Sequence, residues 1–337
     1  MLLQTRSYAR AGFLGNPSDG YYGKTIAFSF TNFGVDVTLY ESPEIEFLPG
    51  DVDTNVFDSL DHLTHTVQHY GYYGGVRLVK AVSKVFAEYC RGQAIALPKR
   101  NFTVRYRSTV PRLVGLGGSS AICTAMFKAL LRFYGIEERI PKHIIPTLCW
   151  RAEKEELGIH CGMQDRVIQM YDGLVFMDFE RQHFEEHDCG KYQYIEPERL
   201  PRLYLAYDPD RAEFSGIYHR KLADVAVREQ ERVAAAMREF ADIAQQGFEA
   251  LMSGKVEKIP ALVNANFDLR NRVFKVSEAN ARMVYEARQT GASAKFAGSG
   301  GAIVGTYEDD AMYAALQDRL SLIGCTTIRP VIASAAY

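Results

Sequence analysis

The chain has 337 residues, 47% of them hydrophobic and 24% charged, enough for a sizeable core and, at roughly 150 residues per domain, for two domains. Lys plus Arg (39) nearly equals Asp plus Glu (41), and a net charge of −2 gives no global reason to expect nucleic acid or an anionic membrane as partner. The N-terminal MLLQTRSYARAGFLG lacks the apolar stretch of a secretory signal, and no apolar run approaches the ~20 residues of a membrane-spanning helix. Six scattered cysteines (Cys90, Cys123, Cys149, Cys161, Cys189, Cys325) form no CxxC pair, so a reduced cytoplasmic protein is expected.

In chain order, Thr25–Tyr40 alternates apolar and polar residues around Phe28, Phe30, Phe33, Val35 and Val37, the pattern of a half-buried strand. Helices are expected at Leu60–Gln68 and Tyr73–Tyr89, and a strand at Phe102–Tyr106. Ser120–Tyr134 reads as an amphipathic helix with Ile122, Met126, Leu130 and Phe133 on one face and Gly135 as its C-terminal stop. Helical signals continue through Pro146–Leu157 and Gln164–Tyr171, followed by a strand at Leu174–Asp178. The character changes near Pro197–Pro201. Beyond the strand Leu203–Tyr207, helices are expected from Lys221 to about Gly247, over Ile259–Phe274 and over Ala279–Gln289. Strands return near Ala294–Ala297, Ala302–Thr306 and Thr327–Val331. The boundary falls near residue 200, giving domains 1–200 and 201–337.

The segment Pro111-Arg-Leu-Val-Gly-Leu-Gly-Gly-Ser-Ser-Ala121 runs three glycines and two serines straight into a helix. Glycines expose backbone N–H groups, and the helix adds its free N–H groups and positive dipole end, which together suit a triphosphate. Alone, the same residues also describe a serine-capped turn. No Lys-Thr or Lys-Ser follows, so this is not a Walker A loop. The decoy at Gly23-Lys24-Thr25 fails because its first glycine would have to be Ser18.

Two acids follow, Glu153 in Ala152-Glu-Lys-Glu-Glu-Leu-Gly158 and Asp165 in Gly162-Met-Gln-Asp-Arg-Val167. A turn with Gly158 and Gly162 lets them converge. Phosphoryl transfer needs one carboxylate for Mg²⁺ and a second near the attacking hydroxyl. Glu155 and Glu156 are alternative metal ligands, though a solvated helix face suits them better. His62, His65 and His69 share helical spacing and read as a polar face, His160 as a loop histidine, and Trp150 as a core residue. Tyr72-Tyr73, before Gly74-Gly75, either borders a nucleotide or starts a helix.

At this point three motifs stand in order. Pro111–Ala121 resembles the phosphate-binding second motif of the GHMP kinases (galactokinase, homoserine kinase, mevalonate kinase, phosphomevalonate kinase). Ala292-Ser-Ala-Lys-Phe-Ala-Gly-Ser-Gly-Gly-Ala302 resembles their glycine-rich third motif, and Ala9–Gly23 their first. Within the family the similarity is to plant-type glucuronokinases. It is carried by Ala9–Asp19, Gly71–Leu78, Ala152–Ile159, Gln164–Val167, Gly173–Val175, Met177–Phe179, Asn266–Arg270 and Lys295–Ala302.

The resemblance implies an α+β, two-domain GHMP fold with the active site between an N-terminal and a C-terminal α/β sandwich domain. It implies ATP and Mg²⁺ as cofactors and D-glucuronate as the substrate phosphorylated at its anomeric hydroxyl. By it, Gly115, Leu116, Gly117, Gly118, Ser119, Ser120 and Ala121 cradle ATP, and Ser119 or Ser120 with Glu153 holds the metal. Asp165 faces the sugar hydroxyl, Arg10 offsets charge on the transferring group, and Asp19, Tyr22, Gly300 and Arg270 border the substrate. Galactokinases carry Glu-His where this chain has Asn16-Pro17, and proline offers no side-chain hydrogen bond. A uronic acid needs a cationic or N–H-rich partner. Arg220, Arg270 and Arg272 are candidates, the last two diverging by about 200° on a helix.

Overall fold

The computed structural model describes residues 1–50, 53, 56–70, 74–209, 230–274 and 276–335. Tyr72, Tyr73, Tyr218, His219, Arg220 and the start of the helix expected from Lys221 lie outside them.

The first sheet is built on a long hairpin. Strand β1 (Leu2–Leu14) pairs antiparallel with β2 (Lys24–Ser42), with a shift in register after Tyr8. β3 is Glu46–Phe47, β4 Asn101–Ser108, β5 Leu174–Asp178 and β6 Lys191–Tyr194. On its other edge β2 takes β4 along its second half and β5 along its first, and β3 and β6 extend the sheet outward. The second sheet is antiparallel, in the order β10 (Thr326–Ile328), β7 (Leu203–Tyr207), β9 (Ala302–Thr306), β8 (Lys295–Phe296).

The helices before the second sheet are α1 (Leu60–Tyr70), α2 (Gly75–Gly92), α3 (Gly118–Tyr134), α4 (Ile145–Arg151), α5 (Gln164–Tyr171) and α6 (Arg181–His187). α3 departs from the one-faced helix expected of it. Besides Ile122, Met126, Leu130 and Phe133 it buries Ala121, Cys123, Ala125, Phe127, Ala129 and Leu131. It lies against β1 and β2 on one side and α2, α4 and α5 on the other, so only a narrow strip around Arg132 meets water. The helix expected through Leu157 changes type part-way: α4 widens into a π turn over Ala152–Glu156, a form associated with functional positions.

α7 (Gln230–Met252), α8 (Ile259–Phe274), α9 (Glu278–Arg288) and α10 (Asp310–Ser321) follow. α7 runs past Gly247, the expected stop. A Cβ there would stand 2.2 Å from Leu14 Cδ1, so this glycine admits close contact with β1 rather than ending the helix.

A cut near residue 200 separates the two sheets but not the interior. The largest apolar cluster joins Phe28, Val37, Phe127 and Leu130 to Leu205, Ala244, Leu251, Val263 and Val304, and Phe176 stacks on Phe248 of α7 at 4.4 Å. The strand expected to reach Val331 ends earlier because the chain crosses back to the first sheet. Thr31 N donates to Val331 O (2.8 Å) and Ala333 N to Ser29 O (3.0 Å).

Candidate active site

A cavity of about 310 Å³ opens where three chain segments meet: the end of β1 with its following turn, the loop before α3, and the loop after β8. The two glycine-rich loops touch. A Cβ on Gly298 would fall 2.1 Å from Gly115 O, so only glycine permits this approach.

Arg10, on β1 and 6% exposed, ties the segments together. Its Nε and Nη2 donate to the two carboxylate oxygens of Asp165, each at 2.6 Å, and Nη1 donates to Gly115 O at 2.5 Å. Its backbone N–H donates to Leu116 O at 3.1 Å. Asp165 stands in the first turn of α5, in the cavity wall. The bidentate geometry fixes the carboxylate plane and offsets its charge.

Of the expected phosphate cradle, Gly115, Leu116, Gly117, Gly118 and Ser119 line the cavity. Ser120 is 1% exposed and its Oγ donates back to Gly117 O at 3.0 Å, while Ala121 is buried behind it. Between the two serines, the structure brings Ser119 to the cavity.

Glu153 is fully buried on the π turn, which separates it from the exposed Glu155 and from Glu156, paired to Lys84. Its Oε2 accepts from Nε (2.7 Å) and Nη2 of Arg166, and Arg166 Nη1 donates to Gly162 O at 2.9 Å. Among the described residues Oε1 has no hydrogen-bond partner, although Glu153 lines the cavity. An orphaned carboxylate oxygen and a serine hydroxyl fit Mg²⁺, a hard cation usually held by one or two protein ligands together with phosphate oxygens and water. Among the described residues no group of three His, Cys, Asp or Glu would hold a metal by itself.

Asp19 lies in the short 3₁₀ turn Ser18–Tyr21, 6% exposed and facing the cavity. Burial pushes its pKa up to about 6; the Gln164 N–H it accepts (3.0 Å) opposes the shift, the charge of Asp165 adds to it, and Arg166 and Arg10 lower it.

Of the expected substrate residues, Tyr22 and Gly300 stand off the cavity, while Arg270 borders it with its guanidinium engaged by the loop. Tyr22 follows the 3₁₀ turn with φ 60°, which swings it outward. It is 41% exposed, against Phe184 and under Arg181, and Tyr21 lines the cavity instead. Gly300 supports the loop while Gly298 and Ser299 form its cavity face. Arg270 borders the cavity, but Nη1 and Nη2 donate to the carbonyls of Gly298 (2.7 Å) and Ser299 (2.6 Å), so it props the third-motif loop. Arg272 points outward to Glu239. His62 pairs with Asp58, and the side chain of His69 lies outside the described residues. Trp150 is half-buried, its Nε1 donating to Cys161 O.

Residues that residue type alone left without a role stand behind the walls and hold the turn after β1. Lys295 is buried with no carboxylate partner among the described residues, a setting that lowers its pKa well below the usual lysine range. In the sequence it stands in the third motif as a lone cation among small and apolar residues, with no role assigned to it. Asn266 clamps the turn after β1, accepting from Gly15 N (2.7 Å) and donating to Asn16 O (3.1 Å).

The comparisons with known proteins agree with this geometry. The profile of the GHMP kinases N terminal domain matches residues 77–173. Glucuronokinase 1 of Arabidopsis thaliana is 42% identical over 306 residues, covering 90% of this chain and 84% of its own. The chain belongs to the GHMP kinases. Streptococcus pneumoniae phosphomevalonate kinase, solved with phosphomevalonate and AMPPNP, superposes with a TM-score of 0.75 at 15% identity, covering 97% of this chain and 99% of its own. Lactococcus lactis galactokinase, solved with galactose, gives 0.74 at 12% identity over 99% and 94%. At such identities these two show the GHMP kinase fold alone. Among the described residues no helix is long and apolar enough to cross a membrane.

Proposed function

We propose that this GHMP kinase transfers the γ-phosphoryl group of ATP to the anomeric hydroxyl of D-glucuronate, giving glucuronate 1-phosphate and ADP in the cytoplasm. The observation that carries the reading is the Arg10–Asp165 pair on a cavity walled by both glycine-rich loops. The end-to-end similarity to a glucuronokinase supports the choice of sugar. The halves 1–200 and 201–337 are read as the two domains of the fold, and the lack of any CxxC pair among the six cysteines supports a reducing compartment.

In this reading the loop Gly115–Ser119 and the first turn of α3 bind the phosphates through backbone N–H groups and the helix dipole. Ser119 or Ser120 and Glu153 hold Mg²⁺, which when bound neutralises phosphate charge and orients the transferring group. Asp165 orients the anomeric O–H and takes its proton as the O–P bond forms and the bond to ADP breaks. A loose transition state asks little base strength of it, so positioning and charge carry most of its effect. Arg10 keeps that carboxylate in place and brings positive charge to the γ-phosphoryl oxygens. Asp19 and Tyr21 border the sugar.

A coupled ADP-release assay over D-glucuronate, D-galacturonate, D-glucose, D-galactose and mevalonate, with and without Mg²⁺, tests this. Turnover selective for glucuronate and reduced by at least about 10²-fold in Asp165→Asn is expected. Selective turnover of another acceptor refutes the substrate. No turnover in folded, ATP-binding protein refutes the kinase reading for this set.

A further inference from the structure

Three of the cavity's guanidinium groups are committed to protein oxygens, and the fourth, Arg112, stands exposed at the start of the phosphate loop, so the inner wall must meet the substrate's carboxylate with something else. Arg10 holds Asp165 and Gly115 O, Arg166 holds Glu153 and Gly162 O, and Arg270 holds two loop carbonyls. Lys154 sits at the exposed rim with its ammonium 4.4 Å over the Trp150 ring, where an ion pair stays hydrated and weak.

Two side-chain amides meet on the inner wall. A Cβ placed on Gly12 would lie 3.0 Å from Gln164 Oε1 and 3.1 Å from Asn16 Cγ, so the two amides stand side by side over that glycine. Both residues line the cavity and are almost fully buried, at 2% exposure for Asn16 and 6% for Gln164. Lys295 fixes which way Asn16 faces. A lysine ammonium only donates, so its 2.5 Å contact must be to the amide oxygen, and Nδ2 has to turn the other way. Its remaining N–H groups donate to Gly12 O (2.7 Å) and Phe296 O (2.9 Å). Three acceptors match the three N–H groups of an ammonium and hold the charged form against the burial and the Arg270 and Arg10 charges that lower its pKa. Among the described residues Asn16 Nδ2 makes no hydrogen bond. Gln164 Oε1 is buried over Gly12 without a partner among the described residues, which leaves Nε2 toward the cavity that Gln164 lines.

Two unpartnered amide donors with an ammonium behind one of them form an anion site. We propose that Asn16, oriented by Lys295, binds the carboxylate of the uronic acid together with Gln164 and thereby selects an acid over the neutral sugar. A planar carboxylate accepts from both amides at once, and the buried ammonium, hydrogen-bonded to Asn16, favours the negative charge. A neutral group at the same position meets donors without gaining from that charge. This rests on the glucuronate reading above.

The test compares D-glucuronate with D-glucuronamide, which keeps every ring hydroxyl and loses the charge. The wild type is expected to prefer glucuronate by about 100-fold in kcat/KM. Asn16→Asp replaces the donor with a carboxylate that pairs with Lys295, and is expected to reverse the preference while the KM for ATP is unchanged. Gln164→Met is expected to reduce the preference about tenfold, chiefly through KM for the acid, and decides the matter by the same ratio if Asn16→Asp does not fold. Equal losses on both sugars, in protein with wild-type melting and ATP binding, overturn the assignment alone. A wild type that turns over no glucuronate overturns the substrate reading and this site with it.

Discussion

Asp19 places a cavity carboxylate whose protonation changes within the range of ordinary assays. Its folded pKa of about 6 stands above the ordinary aspartate value of 3.8. Between those values the folded state binds more protons than the unfolded state, so this group's contribution to stability falls as pH rises. The penalty is absent below pH 3.8, grows through the window and is complete above pH 6, reaching about 3 kcal/mol as an upper bound. Asp19→Asn is therefore expected to melt higher than the wild type at pH 7.5, with the difference vanishing at pH 4, while kcat/KM for the sugar falls. A difference independent of pH would contradict the assignment. Residues with roles of this kind divide by how they declare themselves in the sequence. Glu153 and Asp165 are read from residue type and spacing, whereas Arg10 and Asp19 take their expected roles from the family resemblance. Lys295, Arg166 and Asn266 lie in segments that carry the family resemblance, but they act on atoms brought to them by folding, and residue type alone assigns them no role. Tyr21 and Tyr22 show the same limit, since a single left-handed residue after the turn decides which ring faces the cavity.

At the scale of elements, the π turn Ala152–Glu156 and the paired glycine loops set the geometry. The turn sends Glu153 inward onto Arg166 and leaves Glu155 and Glu156 outward. Glu153→Gln keeps the shape and an acceptor for Arg166 but removes the charge. It is expected to raise the Mg²⁺ concentration for half-maximal rate at least about tenfold and to weaken Mn²⁺ binding measured by electron paramagnetic resonance. Unchanged Mn²⁺ affinity would remove Glu153 from the metal site. Gly298→Ala would drive a methyl group into Gly115 O and shift both loops. An approximately 10²-fold fall in kcat is expected, with a crystal structure or melting curve showing the fold retained. A wild-type rate would mean that the loops are not held in register by this contact. The helices and strands themselves were legible because hydrophobic period is local. The widening of α4 was not, because an extra residue in a helical turn follows from what packs against it. α3 was read as one-faced because its short buried residues, Ala121, Cys123 and Ala125, do not stand out in a hydrophobic pattern.

Across the whole molecule the core ignores the division suggested by the two sheets. Ala244, Leu251 and Val263 share one cluster with the first sheet, and the Phe176–Phe248 stack pins α7 to β5. Far- and near-ultraviolet melting curves are expected to coincide in one transition. Phe248→Ala should lower stability by about 3 kcal/mol without splitting that transition. Two separated transitions would instead mean that the halves melt independently.

The crossing of the chain back to β2 bears on how the protein is made. Thr31 receives its partner Val331 from 300 positions later. At about 5–20 residues per second of synthesis, that partner arrives roughly 15–60 s after the strand it joins has been translated. Through that interval the nascent first sheet presents an open strand edge at Ser29–Thr31, the kind of surface that pairs with other chains. The hazard in production would lie on the ribosome and in the cell's chaperone supply, before any enzyme exists to be assayed.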